Sequence, residues 1–253
     1  MNLPVVVSIG CTDPWNAAGV GLDIRALAAC GVRPLTVVAG VTAQDVRGLH
    51  AARAIDAALV TAQCAAIDGA RASAIRIGAL LDVASVRAVA AYVGGTDAPA
   101  VYDPVLGPSG GGRFLDDATI EAIVTELLPR VALVTPNLEE AARLGGGPVP
   151  RSLREMAFAA GALCATGARA VLVTGGHRET DATDVLVDAD GTELFEGARL
   201  AEPLRGTGCL LACGIAAALA YGAPLRDAIA RGRGFVRERF ERAVEAGGMR
   251  MAY

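Results

Sequence analysis

The stretch Val131–Ala141, VALVTPNLEEA, joins a short apolar run to a polar turn and then to a segment with helical spacing. Val131–Val134 has the length and character of a buried strand, and Leu138–Leu144 repeats apolar residues on one helical face. A buried strand followed by a turn and a helix is the repeating unit of a parallel sheet. We therefore expect the same order elsewhere in the chain.

The order recurs on both sides of this stretch. Apolar runs that end near Gly, Pro or Asp predict further strands at Pro4–Ile9, Leu35–Val41, Ala74–Ile77, Ala98–Tyr102 and Ala170–Val173. Helical spacing marks Val20–Cys30, Ile55–Gly69, Val83–Val93, Asp117–Leu128, Leu153–Thr166, Gly208–Tyr221 and Leu225–Ala246. Asp190-Gly191, between two β-prone runs, predicts a hairpin within 182–200. The pattern predicts an α/β fold: a three-layer α/β/α sandwich with a central, mainly parallel sheet, in a single domain over 1–253.

Bulk composition excludes several classes of partner. The 253 residues carry a net charge of −4, and no long Lys/Arg cluster is present, so we expect no nucleic acid partner. No apolar run reaches the roughly 18 residues of a spanning helix, so we expect no membrane partner. The 6 cysteines are scattered through apolar surroundings without disulfide-framework spacing. A reducing, cytoplasmic location suits them.

The Gly-rich turn Leu204–Leu210, LRGTGCL, runs into an apolar helix. Free N–H groups at Gly206, Thr207 and Gly208 favour an anion such as a phosphate. A thiol at a helix start is expected to have a lowered pKa, so Cys209 could accept a proton from a substrate hydroxyl. A glycine helix cap followed by a buried cysteine explains the turn equally well.

Oxygen ligands follow two predicted strands. Asn137 and Glu140, if they open a helix, project from one face and could hold Mg²⁺ between nucleotide phosphates. The alternative is an N-cap at Asn137 with an acidic first turn. Asp103 ends the strand before Pro104 and could assist the metal or orient the catalytic group, or it could start a turn.

Other strand ends carry candidate binding residues. Asp23, in the helix after the first strand, and Gln44, in a predicted loop, could each bond a ring nitrogen or amino group, or be solvated. Thr174–His177, TGGH, could be a phosphate-facing loop or a plain turn. We expect His50 to be a solvated loop residue. Cys213, on the helix of Cys209, is interpreted as core, because no further ligand completes a zinc site.

Taken in order, these loops resemble the hydroxymethylpyrimidine and phosphomethylpyrimidine kinases of the ribokinase-like superfamily, along nearly the whole chain. The Thr-Pro-Asn-x-x-Glu-Ala motif of that family is unchanged in Thr135–Ala141, and a Cys rather than an Asp ends the Gly-Thr-Gly motif. The other matching segments are Cys11–Pro14, Ala18-Gly19 with Asp23, Ala43-Gln44, Arg76–Leu80, Asp103–Val105 and Gly175–His177.

The resemblance implies ATP-dependent phosphorylation of 4-amino-5-hydroxymethyl-2-methylpyrimidine, and of its monophosphate, in thiamine biosynthesis. It implies that Cys209 is the base and that the N–H groups of Gly206, Thr207 and Gly208 line the anion hole. Metal binding would fall to Glu140, Asn137 and Asp103; nucleotide binding to Thr174, Gly176, His177 and Asn137; and pyrimidine binding to Gln44, Asp23, Gly19 and Val105. The implied cofactors are ATP and Mg²⁺, and the implied assembly is a homodimer.

The sequence departs from the family pattern at three places that the resemblance puts near the substrate or the nucleotide. Asn16-Ala17 stands where members tend to have Gly-Gly, Thr174 stands where Lys is common, and the loop 106–113 has no Lys. The missing cations put the second phosphorylation in question. Two rivals follow: a kinase of the same fold for pyridoxal or another hydroxymethyl heterocycle, and a catalytically weak pyrimidine-binding paralogue.

Overall fold

A computed structural model describes residues 3–107, 115–176, 181–199 and 204–251. Its strands are β1 Val5–Thr12, β2 Arg33–Asp45, β3 Gly48–Ala54, β4 Ala74–Ile77, β5 Ala100–Tyr102, β6 Leu133–Val134, β7 Ala170–Val173, β8 Asp184–Asp188 and β9 Gly191–Phe195. These nine strands of the described chain form one sheet in the order β3-β2-β1-β4-β5-β6-β7-β8-β9. The six central strands, β2, β1, β4, β5, β6 and β7, pair in parallel. At the two edges, β3, β8 and β9 are added antiparallel.

Helices cover both faces of the sheet. They are α1 Gly19–Ala29, α2 Ala57–Ile67, α3 Val83–Gly94, α4 Asp117–Ala122, α5 Leu138–Gly145, α6 Leu153–Ala165, α7 Thr207–Ala220 and α8 Leu225–Glu241. One core lies between the sheet and α1, α7 and α8, and the other lies between the sheet and α2 to α6. The predicted three-layer α/β/α sandwich is confirmed.

Side-chain caps fix where many helices begin. The carboxylates of Asp56, Asp82 and Asp116 accept hydrogen bonds from backbone N–H groups in the first turn of α2, α3 and α4. Ser152 does the same for α6. A short polar side chain before an apolar helical run satisfies N–H groups that the helix itself leaves unpaired. The predicted helix starts therefore lie within one or two residues of the observed ones.

The β2–β3 hairpin differs from the prediction, which gave a single strand, Leu35–Val41, in this part of the chain. β2 continues beyond Val41 to Asp45 and pairs antiparallel with β3, a strand that was not predicted. Gln44 and His50 therefore lie in strands and not in loops, and His50 contacts the Asp45 carboxylate at 3.0 Å. The sequence of β3, GLHAARA, lacks the apolar alternation that indicates a strand, because most of its side chains are not buried.

Two helices end earlier than predicted. α8 stops at Glu241, and Val244–Ala246 (β10) pairs with Met249–Met251 (β11) in a separate hairpin. Gly247 and Gly248 make this turn possible, because their φ values of +58° and +76° favour glycine. The segment predicted as one helix over Asp117–Leu128 is regular only to Ala122 and then continues as a wider turn and a short 3₁₀ turn.

A membrane crossing requires a helix that is both long and apolar. None of the helices in the described ranges combines these two properties.

Candidate active site

The start of α7 is an open, glycine-lined mouth at the carboxyl ends of the strands. Gly206 is in the left-handed region, with φ of 84°, and a Cβ there would collide with the carbonyl oxygen of Ala17 and lie 2.5 Å from Leu22. Only glycine fits this position. Gly208 is exposed, so the N–H groups that begin the helix are accessible to a ligand.

Cys209 lies at the floor of this mouth and is 7% exposed. The Gly19 N–H and the Asp103 carboxylate lie close to its sulfur. Burial raises the pKa of the thiol to about 12, although Arg76 and the Gly19 N–H lower it. The prediction of a lowered pKa is therefore wrong, because desolvation outweighs the helix start. Near neutral pH the free protein holds Cys209 as a thiol.

A buried ion-pair network lies beneath Cys209. The Arg76 guanidinium donates from Nη1 to Asp23 at 2.9 Å and from Nη2 to Asp103 at 2.7 Å, and its side chain is 1% exposed. Asp23 also accepts hydrogen bonds from Ser8 Oγ at 2.6 Å and from the Cys213 thiol at 3.3 Å. Asp23 is completely buried, so both interpretations of it, ring binding and solvation, are wrong. It supports the site through Arg76.

Arg76 was not among the predicted site residues. The available signal was an arginine inside the apolar strand AIRI, because a buried charge must be paired. Gly78 makes room for it, since a Cβ on Gly78 would overlap Arg76 Nη1.

Asp103 faces the mouth directly. One of its carboxylate oxygens lies 3.2 Å from the position that a Cβ on Gly208 would occupy. Burial raises the pKa of Asp103, against the lowering effect of Arg76. Val105, two positions further on, is half-buried beside it. The carboxylate thus lies between the mouth and the ion-pair network.

Asn137 and Glu140 open α5 as a capping box. The Glu140 N–H donates to Asn137 Oδ1 at 2.9 Å, and the Asn137 N–H donates to Glu140 Oε2 at 2.8 Å. The N-cap interpretation is confirmed. Burial of the Glu140 carboxyl, reinforced by the negative charge of Asp103, raises its pKa to about 8. A buried carboxyl whose pKa is raised further by a neighbouring carboxylate favours a cation beside it.

The donor set at this edge suits Mg²⁺. Magnesium is held by one or two carboxylates, with water and phosphate oxygens completing its shell. Across the described ranges no group of three or more His, Cys, Asp or Glu side chains could hold a metal ion. Asp103 and Glu140 are oxygen donors of the kind that Mg²⁺ takes, and the ion would need further ligands beside them.

The predicted nucleotide loop lies against the α5 turn. The Thr174 N–H donates to the Pro136 carbonyl at 2.8 Å. The Gly175 N–H donates at 2.7 Å to Asp184, which is ion-paired with Arg233 at 3.0 Å. Gly176 is exposed and would have open space around a Cβ. His177 lies outside the described residues.

The acceptor side of the mouth is formed by the end of β2 and the first loop. Gln44 Oε1 accepts a hydrogen bond of 2.5 Å from Arg205, the residue before Gly206, so the amide lies beside the mouth. In the first loop, Asp13 accepts hydrogen bonds from the N–H groups of Ala17 and Ala18 at 3.1 and 3.0 Å. Arg205 and Asp13 were not predicted as site residues.

Asn16 stands in the first loop where a glycine is common among the resembling kinases, and its φ is +51°. Asparagine tolerates this left-handed conformation better than other non-glycine residues. The substitution therefore keeps a left-handed turn at this position.

The mouth, its buried sulfur and the acidic strand ends define a small-molecule kinase of the ribokinase-like fold. The same fold is found in Bacillus subtilis pyridoxal kinase, solved as an ADP complex, with a TM-score of 0.90 and 26% identity over 99% of this chain and 97% of that one. Phosphomethylpyrimidine kinase from Clostridium difficile has a TM-score of 0.82 and 22% identity, covering 93% and 98% of the two chains.

Sequence comparison identifies the family. Residues 13–252 match the model of the phosphomethylpyrimidine kinase family. A hydroxymethylpyrimidine/phosphomethylpyrimidine kinase from Rhizobium meliloti is 35% identical over 235 residues, which are 92% of this chain and 88% of the relative. The chain belongs to the phosphomethylpyrimidine kinase family.

Proposed function

We propose that this protein transfers the γ-phosphoryl group of ATP to the hydroxymethyl group of 4-amino-5-hydroxymethyl-2-methylpyrimidine, and then phosphorylates the monophosphate, in thiamine biosynthesis. The observation that carries the proposal is the open mouth at Gly206–Gly208, with Cys209 and Asp103 at its floor. A phosphoryl group in that mouth would meet backbone N–H groups on one side and a proton-accepting pair on the other.

The proposed chemistry is in-line transfer to a primary alcohol. Because the transition state of phosphoryl transfer is loose, catalysis depends mainly on positioning and on stabilising charge that develops on the phosphate oxygens. The N–H groups of Thr207 and Gly208 do this at the mouth. The sulfur of Cys209, a thiol next to the Asp103 carboxylate, would take the proton of the alcohol as its own proton passes to Asp103, which ends the step protonated. Arg76 keeps the negative charge of this pair compensated.

Asp103 and Glu140 would hold Mg²⁺, with Asn137 beside them. When bound, the ion neutralises charge on the phosphates of the nucleotide. The ATP-analogue and ADP complexes of related pyridoxal kinases support the use of ATP. Thr174 and Gly176 are proposed to line the nucleotide side, and Gln44, Gly19 and Val105 the pyrimidine side.

A second candidate acceptor is pyridoxal. The likeness to the Bacillus subtilis pyridoxal kinase favours it, since 26% identity extends over 99% of the chain. Both acceptors present a primary alcohol on a nitrogen heteroaromatic ring, so the same mouth serves either. The identity to the Rhizobium meliloti kinase is higher and favours the pyrimidine.

A single-turnover assay tests the proposal. The protein is mixed with Mg-ATP and either the pyrimidine alcohol or pyridoxal, and mass analysis follows mono- and diphosphorylated products. We expect faster monophosphate formation from the pyrimidine, followed by the diphosphate. Faster turnover of pyridoxal would make pyridoxal the favoured acceptor. Pyrimidine binding without ATP consumption would identify a binding paralogue. The homodimeric state, the cytoplasmic location and the single-domain organisation stay predictions. Sedimentation checks the homodimeric state.

A further inference from the structure

Arg205 joins the acceptor side of the site to the mouth of α7. Its Nη2 donates to Gln44 Oε1 at 2.5 Å, and its Nη1 donates to the Asp45 carbonyl at 3.1 Å. The next residue is Gly206, the N-cap of α7. One guanidinium thus fixes the end of β2 relative to the anion-binding turn.

The contact also fixes which way the Gln44 amide faces. A guanidinium is a donor only, so the atom of Gln44 that meets Arg205 must be the carbonyl oxygen. The NH₂ group then lies at the other end of the amide, and among the described residues no protein acceptor is bonded to it. A flipped amide would place NH₂ against a cation and lose a charge-assisted hydrogen bond.

The C-terminal hairpin holds Arg205 in this position. The Arg205 N–H donates to the Arg250 carbonyl at 3.3 Å, and Arg205 forms an isolated parallel bridge with Met251. Its guanidinium also lies 3.8 Å from the Met249 sulfur. Backbone and side chain are therefore both constrained, and Arg205 is not a freely moving surface cation.

We propose that Arg205 is a specificity-determining residue that acts through Gln44. By holding the amide oxygen, it presents the Gln44 NH₂ group to the acceptor and selects a heteroaromatic alcohol that offers a ring-nitrogen lone pair there. An acceptor with C–H or N–H at that position leaves the amide unpaired. This inference rests on the proposed function, because it assumes that Gln44 contacts the acceptor ring.

The test compares the pyrimidine alcohol with two analogues in which one ring nitrogen at a time is replaced by C–H. In the unmodified protein, we expect one replacement to lower kcat/KM by about 10- to 100-fold, since a site that bonds a polar atom rejects an analogue without it. In Arg205→Met the amide is free to turn, and the same replacement should cost less than about 3-fold.

Two further variants separate orientation from charge. Arg205→Lys keeps the cation but cannot fork to both Gln44 and Asp45, so we expect an intermediate loss of discrimination. Arg47→Met is the matched control, because Arg47 is exposed and pairs with Asp45 without a contact to Gln44. It should keep the ratio within about 2-fold of the unmodified protein. Thermal unfolding confirms that each variant is folded. If Arg205→Met does not fold, the comparison is made with Arg205→Lys.

The outcomes are distinguishable. The role of Arg205 is overturned if both folded Arg205 variants discriminate against the C–H analogue as strongly as the unmodified protein does. It is also overturned if the unmodified protein does not discriminate at all. In either case, turnover of the pyrimidine alcohol still upholds the proposed function. Loss of turnover only with the monophosphate would make Arg205 a phosphate-binding cation and also overturns this role. If the unmodified protein phosphorylates neither the pyrimidine alcohol nor its analogues, the proposed function fails and this inference with it.

Discussion

The two sides of the α7 mouth are built from different kinds of contact. On the catalytic side, Arg76, Asp23 and Asp103 form ion pairs whose side chains are 1%, 0% and 7% exposed. On the acceptor side, Gln44 and Arg205 are only half-buried and are held by hairpins. A buried charge without its partner destabilises the whole fold, whereas a half-exposed contact can be exchanged at small cost. The catalytic geometry is therefore fixed by folding, and the acceptor side is free to vary.

The motifs shared with the family and one departure from the family pattern agree with this division, whereas Thr174 departs from the pattern on the nucleotide side. Gly206–Cys209, Asp103–Val105 and Thr135–Ala141 keep the motifs on the catalytic side. On the acceptor side, Asn16-Ala17 stands where members tend to have Gly-Gly. Variants on the catalytic side should thus affect the rate most strongly, and variants on the acceptor side should affect selectivity.

The largest effect is expected for Cys209→Ala. Removing a positioned proton acceptor lowers kcat by on the order of 10² to 10⁴, which is roughly 3 to 5 kcal/mol. Steady-state kinetics with the pyrimidine alcohol measure it. Cys64→Ala is the matched control, because Cys64 is also buried but packs in α2 on the opposite face of the sheet. It should lower stability and leave kcat unchanged. A near-normal kcat for folded Cys209→Ala would remove the sulfur from the mechanism.

The next effect is expected for Glu140→Gln, which separates the capping role from the metal role. Glutamine keeps the capping box, so α5 should still form. The carboxylate is lost, so kcat at limiting Mg²⁺ should fall by about 10- to 100-fold. Glu139→Gln, at the exposed neighbouring position, is the control. Equal activity of both variants at every Mg²⁺ concentration would contradict a metal role for Glu140.

Glu140 also makes a pH-dependent contribution to stability. Its pKa is raised from 4.5 to about 8, so the folded protein binds a proton that the unfolded chain releases. This contribution is present below pH 4.5 and is lost as the pH rises through 8. Urea unfolding should show a free energy that decreases between pH 5 and 9 more steeply for the unmodified protein than for Glu140→Gln. Parallel curves would contradict the raised pKa.

A smaller effect is expected for Thr174→Lys, which returns a cation to the nucleotide side. Thr174 lies beside the α5 turn through its bond to Pro136. An ammonium near nucleotide phosphates should lower KM for Mg-ATP by about 3- to 10-fold, because an exposed charge pair contributes about 1 kcal/mol. Thr174→Ser, with no added charge, should leave KM unchanged. A KM for ATP that does not respond to Thr174→Lys would place Thr174 away from the phosphates.

Local patterns predicted most of the sheet and the helix caps, because a buried parallel strand and an Asp-capped helix are visible within a dozen residues. The cap role of Asn137 and the glycine mouth at Gly206 are local in the same way. The pKa of Cys209 was predicted with the wrong sign, since the helix start is local but desolvation comes from tertiary packing.

Contacts between distant segments were not predictable in this way. Arg76 of β4 meets Asp23 of α1 and Asp103, which follows β5, only when these three elements pack together. Arg205 meets Gln44 only because β2 extends past its apolar run into a hairpin with a weakly patterned partner strand. No spacing within either segment encodes its partner. The acceptor side, where such contacts dominate, was therefore predicted least well.

The smallest effect is expected in the C-terminal hairpin, where two neighbouring glycines provide a matched pair. Gly247 and Gly248 both have positive φ, but a Cβ on Gly247 would collide with the Trp15 ring, whereas a Cβ on Gly248 would have open space. Gly248→Ala should cost only backbone strain, about 1 kcal/mol, and Gly247→Ala should cost that plus the disturbed ring contact. The single tryptophan of the chain reports the contact, so its fluorescence should change in Gly247→Ala alone. Because the hairpin holds Arg205, KM for the pyrimidine alcohol should rise by less than about 3-fold in that variant, with kcat unchanged. Equal destabilisation and equal fluorescence in both variants would show that the contact between the hairpin and the Trp15 ring does not require glycine at position 247.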